Sequence, residues 1–425
     1  MQTNQHHLMK KTIIAFALAL LSQAATWAQD IQTGMDSIPV PADTLAADTL
    51  PPLPWEQRLQ LQLDSLIAND DLLQTSQLGL MVWDLSADSA LYAHNHMQRM
   101  RPASTMKVLT SVTALDCLGA NHQFTTEVRT RGQMAGHTLV GDLVCVGDMD
   151  PSFDNGDMKL LVDRVRQAGI DTICGAVVAD KSMKDTLLLG EGWCWDDDNP
   201  CLSALLIGRK DNFTERFQRE LLSAGIVITD SIPEGIDAKA ARSTRPATIA
   251  AVRHPMSQIM KRMMKQSDNL YAEAVFYHAA LATARPATAK NARSAVKKLI
   301  QKLGYDPARY NVADGSGLSL YNYVTPELMV SVLRYAWQNA DISEQLLPTL
   351  PLAGVDGTLK DRLKQSPAFR NVRAKTGTVS AISSLAGYCT ASNGHPLAFC
   401  IINQGVVKAK DGKAFQDKVC TLLCK

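Results

Sequence analysis

The apolar residues of this chain fall at helical spacing in two separated blocks and at strand spacing between them. That interruption limits the fold more than any other feature. Ahead of it, Val108, Leu109, Val112, Leu115 and Leu118 form one face of a helix that is opened by Arg101-Pro102-Ala103 and stopped by Gly119. After it, helical periodicity returns over Met256 to Leu281 and Ala292 to Leu303, and Thr325-Pro326-Glu327 gives a further helix its cap and its first-turn proline. From Glu127 to Thr244 the pattern is short strand-like pieces, such as Leu139 to Val146 and Ala176 to Ala179, broken by Gly and Asp turns. The order predicts a helix-rich unit split by a strand-rich insertion.

The remaining elements complete an α+β fold. Leu59, Leu63, Leu66 and Ile67 predict an N-terminal helix starting at Trp55, and Leu78 to Trp83 with Ala90 to Ala93 read as two strands joined by a polar turn. Near the other end, Val372 to Val379, Leu385 to Thr390 and Leu397 to Ile402 read as strands, the last two joined at Asn393-Gly394. A helix over Ala414 to Leu423 is expected to close over this sheet beside the first helix. The expected boundaries are 55–128 and 245–425 for a split catalytic unit, an antiparallel sheet flanked by helices, and 129–244 for a smaller inserted domain.

Lys10 and Lys11, an apolar run from Ile13 to Leu21 and small residues ending at Ala28 have the three-part pattern of a secretory signal peptide over residues 1–28, cleaved or kept as an anchor. Residues 29–54, with five prolines and no apolar periodicity, read as a linker. The expectation is an exported, periplasmic or envelope-associated protein. Forty-three basic against forty-two acidic side chains offer no electrostatic surplus for nucleic acid, which is not expected as a partner. Nine cysteines without a CxxC pair and nine histidines without an HExxH pattern support neither a metal nor a cofactor. Cys194 with Cys201 and Cys389 with Cys400 are conceivable bridges, and buried free thiols are the preferred reading.

The chemistry resides in three short segments. Ser104-Thr105-Met106-Lys107 sets a hydroxyl and an amine three residues apart on one helix, where such side chains are neighbours. A serine is a weak nucleophile until a base takes its proton, and Lys107 can be that base once burial or a nearby cation lowers its pKa. The helix start also points backbone N–H groups, that of Ser104 among them, at an oxygen that becomes negative in acyl transfer. One SxxK is weak evidence, since Ser294-Ala295-Val296-Lys297 matches too, on what reads as a solvated helix face. Specificity comes from Ser267-Asp268-Asn269 and Lys375-Thr376-Gly377, in that order. Ser267 offers a hydroxyl for proton relay and Asn269 an amide for a substrate peptide group. Lys375 offers a fixed positive charge, Gly377 room for a substrate backbone against its strand, Thr376 and Thr378 hydroxyls for a terminal carboxylate, and Thr378 N–H a second oxyanion donor.

At these residues the chain resembles the penicillin-binding proteins and class A β-lactamases, whose signature is SxxK, SDN and KTG together. Pro102 to Lys107, Ser267 to Glu273, Asp314-Gly315-Ser316-Gly317-Leu318-Ser319, Gly357-Thr358-Leu359 and Lys375 to Thr378 followed by Leu385-Ala386-Gly387-Tyr388 are similar to the D-alanyl-D-alanine carboxypeptidase/endopeptidase branch, class C of the low-molecular-mass penicillin-binding proteins. The resemblance extends from about residue 55 to the end and takes in Gly147-Asp148 with Asp150-Pro151 and the Trp193 to Asp198 region. It implies a β-lactamase/transpeptidase-like fold, a peptidoglycan stem peptide as substrate, an acyl-enzyme on Ser104, and acylation of the same serine by β-lactams. Asp314 to Ser319 reads as structural support near the site. Two alternatives remain at this point: a β-lactamase on the same scaffold, which needs fast deacylation, and a non-catalytic β-lactam or wall-binding protein.

Overall fold

Helix α1 (Trp55–Asn69) starts directly after Pro54 and buries Leu59 and Leu63. The computed structural model describes residues 53–425 apart from 197, 233, 235, 236, 238 and 241–243; the expected signal peptide and all but the last two residues of the expected linker lie outside the described residues. Strands β1 (Gln77–Asp84) and β2 (Ser89–His94) pair antiparallel. A 3-10 turn over Ala103–Thr105 then runs into α2 (Met106–Leu118), which ends at Gly119 with φ 81°.

The chain next builds a second sheet. β3 (Gln123–Ala135) and β4 (Thr138–Val146) form a hairpin, and α3 (Asn155–Gln167) is started by a capping box between Asp154 and Asp157. β5 (Thr172–Cys174), β6 (Val177–Asp180), α4 (Phe213–Ser223), β7 (Val227–Thr229) and β8 (Ala247–Pro255) complete it. The strand order is β7-β5-β4-β3-β8, with β6 also on β4. Val128, Leu143, Phe153, Phe213 and Phe217 belong to its own core. The sheet reaches from Gln123 to Pro255, wider at both ends than 129–244, because β3 and β8 are paired from Gln123↔Pro255 onward.

Helices return with α5 (Met256–Lys265), α6 (Asn269–Leu281), α7 (Ala289–Lys302), α8 (Pro326–Gln338) and α9 (Ala340–Leu346). The single helical run expected over Met256 to Leu281 is two helices. Its apolar periodicity continues, but Ser267 takes left-handed backbone (φ 58°) and Asp268 caps α6 through Leu270 N–H at 3.1 Å. Thr325 caps α8 as expected, with Pro326 at the first position.

Three strands and a helix end the chain: β9 (Arg373–Val379), β10 (Ile382–Thr390), β11 (Pro396–Gln404) and α10 (Ala409–Leu423). They join β1 and β2 in an antiparallel sheet of order β2-β1-β11-β10-β9, which leaves β9 at an edge. The central strands are buried on both faces, so alternate side chains enter different cores. On β11, Ala398, Cys400 and Ile402 join the core of α2, α6 and α8, whereas Leu397, Phe399 and Ile401 join that of α1 and α10. This alternation disposes of one conceivable bridge: Cys389 lies in the second core and Cys400 in the first, on opposite faces of the sheet. All nine cysteines are free thiols, Cys194 and Cys201 included.

Phe415 of α10 is fully buried in the second core. Phe415→Ala is expected to cost about 3–5 kcal/mol, read as a lower urea midpoint at unchanged slope. An unchanged midpoint would mean that α10 does not close the sheet.

Candidate active site

The backbone before Ser104 is forced. Ala103 has φ 48°, left-handed for a residue with a Cβ, and the Pro102 carbonyl accepts from Thr105 Oγ1 at 2.6 Å and from Ser384 Oγ of β10 at 2.5 Å. Ser104 therefore lies in the 3-10 turn and Lys107 in the first turn of α2. Side chains three apart nearly eclipse in such a turn, and Lys107 Nζ stands 3.0 Å from Ser104 Oγ. Lys107 is fully buried, and its two other donors reach Asn269 Oδ1 at 2.8 Å and the Ser316 carbonyl at 2.7 Å. Burial brings its pKa down to about 8, against the opposing pull of Asp314, Glu273 and Asp268.

Two buried carboxylates hold the loop that carries Ser316. Asp314 accepts from Gly317 N at 2.8 Å, Ser319 N at 2.7 Å, Asn322 Nδ2 at 2.7 Å and, from the inserted segment, Trp193 Nε1 at 2.8 Å. Glu273, on α6, accepts from Ser316 N at 2.8 Å and Gly315 N at 3.1 Å. Burial and the neighbouring Asp314 push its pKa up to about 8. Gly317 has φ 78°, and a Cβ there would lie 1.8 Å from the Ala103 carbonyl oxygen, so this loop packs directly against the turn that carries Ser104.

Lys375 Nζ, from β9, donates to Ser267 Oγ at 2.8 Å and to the Thr376 carbonyl at 2.6 Å. It too is fully buried, and burial first, then the charge of Lys107, hold its pKa well below the ordinary lysine value. A bound anion would oppose that lowering and favour the protonated form. Thr376 Oγ1 meets Thr358 Oγ1 at 2.7 Å. Lys265 fixes the Thr358 loop by reaching Asp356 at 2.6 Å. Gly377 is needed for a reason other than substrate access: a Cβ there would lie 2.1 Å from Ser384 Oγ, 2.8 Å from the Pro102 oxygen and 3.0 Å from Ser104 N. Its bareness lets β9 and β10 close behind the serine. Thr378 is exposed on the edge strand.

Ser104, Lys107 and Asn269 are thus joined through one amine, and Ser267, Lys375 and Thr376 through the other, while Gly377 touches the serine turn. The decoy stays apart: Ser294 Oγ donates to Lys290 O on its own helix. Roles that sequence reasoning missed are those of the Ser316 carbonyl, Glu273, Thr358 and Trp193. The glycine-dense stretch at Asp314 and the residues following Asn269 were the available signals. Among the described residues no cluster of His, Cys, Asp and Glu suited to a metal ion is found.

Comparison with known proteins places the chain in a family. The D-Ala-D-Ala carboxypeptidase 3 (S13) family matches residues 59–208 and 207–425. D-alanyl-D-alanine carboxypeptidase DacB of Haemophilus influenzae is 28% identical, covering 76% of this chain and 84% of the relative. The crystal structure of penicillin binding protein 4 (dacB) from Haemophilus influenzae superposes with a TM-score of 0.74 at 25% identity, covering 84% of this chain and 97% of that one. A structure of that protein complexed with a β-lactam gives 0.69, at the same identity and coverage.

Only neutral Lys107 can take a proton, so acylation of Ser104 is expected to rise with pH through about 8 and then level. A flat profile from pH 6 to 9, followed by stopped-flow with a reporter substrate, would remove Lys107 as the base. Gly377→Ala must push β9 or the serine turn aside. It is expected to slow acylation by at least about 100-fold; wild-type rates would show that the close packing is dispensable.

Proposed function

The chain belongs to the D-Ala-D-Ala carboxypeptidase 3 (S13) family, serine enzymes that act on D-alanyl-D-alanine ends of peptidoglycan peptides, and we propose that Ser104 is its covalent nucleophile and Lys107 the base. The observation that supports this reading is the 3.0 Å contact between Ser104 Oγ and an amine whose pKa is lowered to about 8 by complete burial. Ser104 Oγ attacks the carbonyl carbon of the penultimate D-alanine while its proton passes to Lys107. Backbone N–H groups of Ser104 and Thr378 receive the oxygen that becomes negative. The C–N bond then breaks, the terminal D-alanine leaves with a proton relayed through Ser267, and water hydrolyses the remaining ester.

Substrate recognition follows from which atoms are already engaged. Asn269 spends its oxygen on Lys107 and keeps its amide N–H groups for the substrate's peptide carbonyl. Lys375, Thr376 and Thr378 receive the terminal carboxylate, whose charge keeps Lys375 protonated. Strand β9 lies last in the sheet order; the 351–353 segment bridges its start at Arg373, and past that point an extended peptide can lie along it as a further strand. A cross-linked peptide presents the same D-alanyl bond with a longer leaving group, so endopeptidase action uses the same steps. β-Lactams place a strained amide at the same position and acylate Ser104.

Peptidase action is favoured over β-lactamase action by the carboxylates. Asp314 and Glu273 are buried and occupied by backbone N–H donors, and neither is left to activate a water at an ester on Ser104. The acyl-enzyme with a β-lactam is accordingly long-lived. Export to the periplasm or cell envelope is supported by the sequence pattern of Lys10, Lys11, the apolar run to Leu21 and Ala28.

Mature protein incubated with benzylpenicillin is expected to gain one persistent adduct by intact mass, and Ser104→Ala none. Lys107→Ala should lower the acylation rate by about 1000-fold or more. Rapid release of the drug would identify a β-lactamase, and an adduct on Ser104→Ala would overturn the assignment of the nucleophile.

A further inference from the structure

Two residues with side chains hold left-handed backbone on either side of one ion pair. Ser267 has φ 58° and Arg209 has φ 69°, and they are linked through Asp268, whose Oδ2 lies 2.6 Å from Arg209 Nη1. Such a conformation in a residue other than glycine persists where its surroundings enforce it. The surroundings of Arg209 belong to the insertion. It is the second central residue of the tight turn Ile207 to Lys210, closed by Ile207 N–H on Lys210 O at 3.0 Å, and Gly208 N–H reaches Phe153 O at 3.1 Å. Ile207 and Phe153 are buried in the insertion's core, so the turn is anchored to that unit.

Asp268 is held from three directions. Its Oδ1 caps α6, its Oδ2 takes Arg262 Nε from α5 at 3.1 Å with that guanidinium over the Tyr271 ring, and Arg209 approaches from the insertion. Its side chain is only 8% exposed, against 42% for that of Arg209. The residues on either side of it are Ser267, which accepts from Lys375, and Asn269, which accepts from Lys107. Whatever fixes Asp268 fixes both.

We infer that Arg209 is a positioning residue: the insertion uses it to lock Asp268, and thereby sets Ser267 and Asn269 against the two site lysines. This rests on Ser104 being the acylated nucleophile. Arg262 continues to hold Asp268 when Arg209 is removed, so the loss is partial and kinetic.

The test is a double-mutant cycle on the second-order rate of Ser104 acylation by benzylpenicillin, with Arg209→Ala, Ser267→Ala and the double variant. Arg209→Ala should slow acylation about tenfold, with Arg209→Lys recovering part of the rate. Within Ser267→Ala the same change should cost clearly less, about threefold, because one of the two residues it positions is gone. Should Arg209→Ala fail to fold, Arg209→Gln, which keeps the stem, replaces it in the cycle. Wild-type acylation by the Arg209 variant, or losses that simply multiply, overturns the inference and leaves the nucleophile standing. A wild-type protein that takes no adduct overturns both.

Discussion

A single amine enclosed by three acceptors organises this molecule. Lys107 is fully buried, and its three hydrogen bonds go to protein: the Ser104 hydroxyl, the Asn269 amide oxygen and the Ser316 carbonyl, which belong to three distant parts of the sequence. Their convergence fixes α2, the start of α6 and the loop before α8 relative to one another. The same enclosure makes the charged amine costly, and that cost brings the pKa of Lys107 down to about 8, as the proposed role of base requires.

The second buried amine, Lys375, shows why the site needs its acids where they are. Burial first, and then the charge of Lys107, hold the pKa of Lys375 well below the ordinary lysine value. Asp314 pulls hardest against the lowering of Lys107, and its oxygens, like those of Glu273, also tie down backbone N–H groups of the Ser316 loop. Electrostatics and scaffold are therefore one arrangement. Under the proposed reading, a substrate carboxylate bound at Lys375 would bring negative charge to it and favour its protonated form.

Much of this was legible in the sequence because the chemistry demands particular side chains at particular spacings. A hydroxyl and an amine one turn apart, a hydroxyl and an amide spaced by one, and a lysine ahead of a glycine cannot be replaced by equivalents, and the structure brings all of them to one cleft. The Ser316 carbonyl was invisible because every residue carries one. Arg209 was invisible because it lies 59 positions from its partner with no motif around it. The break at Ser267 was hidden by apolar periodicity that runs through it, and the limits of the second sheet by strands that continue past the change in pattern. β10 and β11 lack visible alternation, since both faces are covered, and it was the Asn393-Gly394 turn that gave them away.

The pairing of β3 with β8 has an architectural consequence. Because Gln123 lies across from Pro255, the chain leaves the catalytic layers and rejoins them at cross-strand neighbours, as at a splice. What is carried between the two points can lengthen or shrink without altering the spacing of α2 and α5, which follow from their own packing. The graft has to match the catalytic unit where it touches it, at Arg209 on Asp268 and at Trp193 on Asp314 among other places.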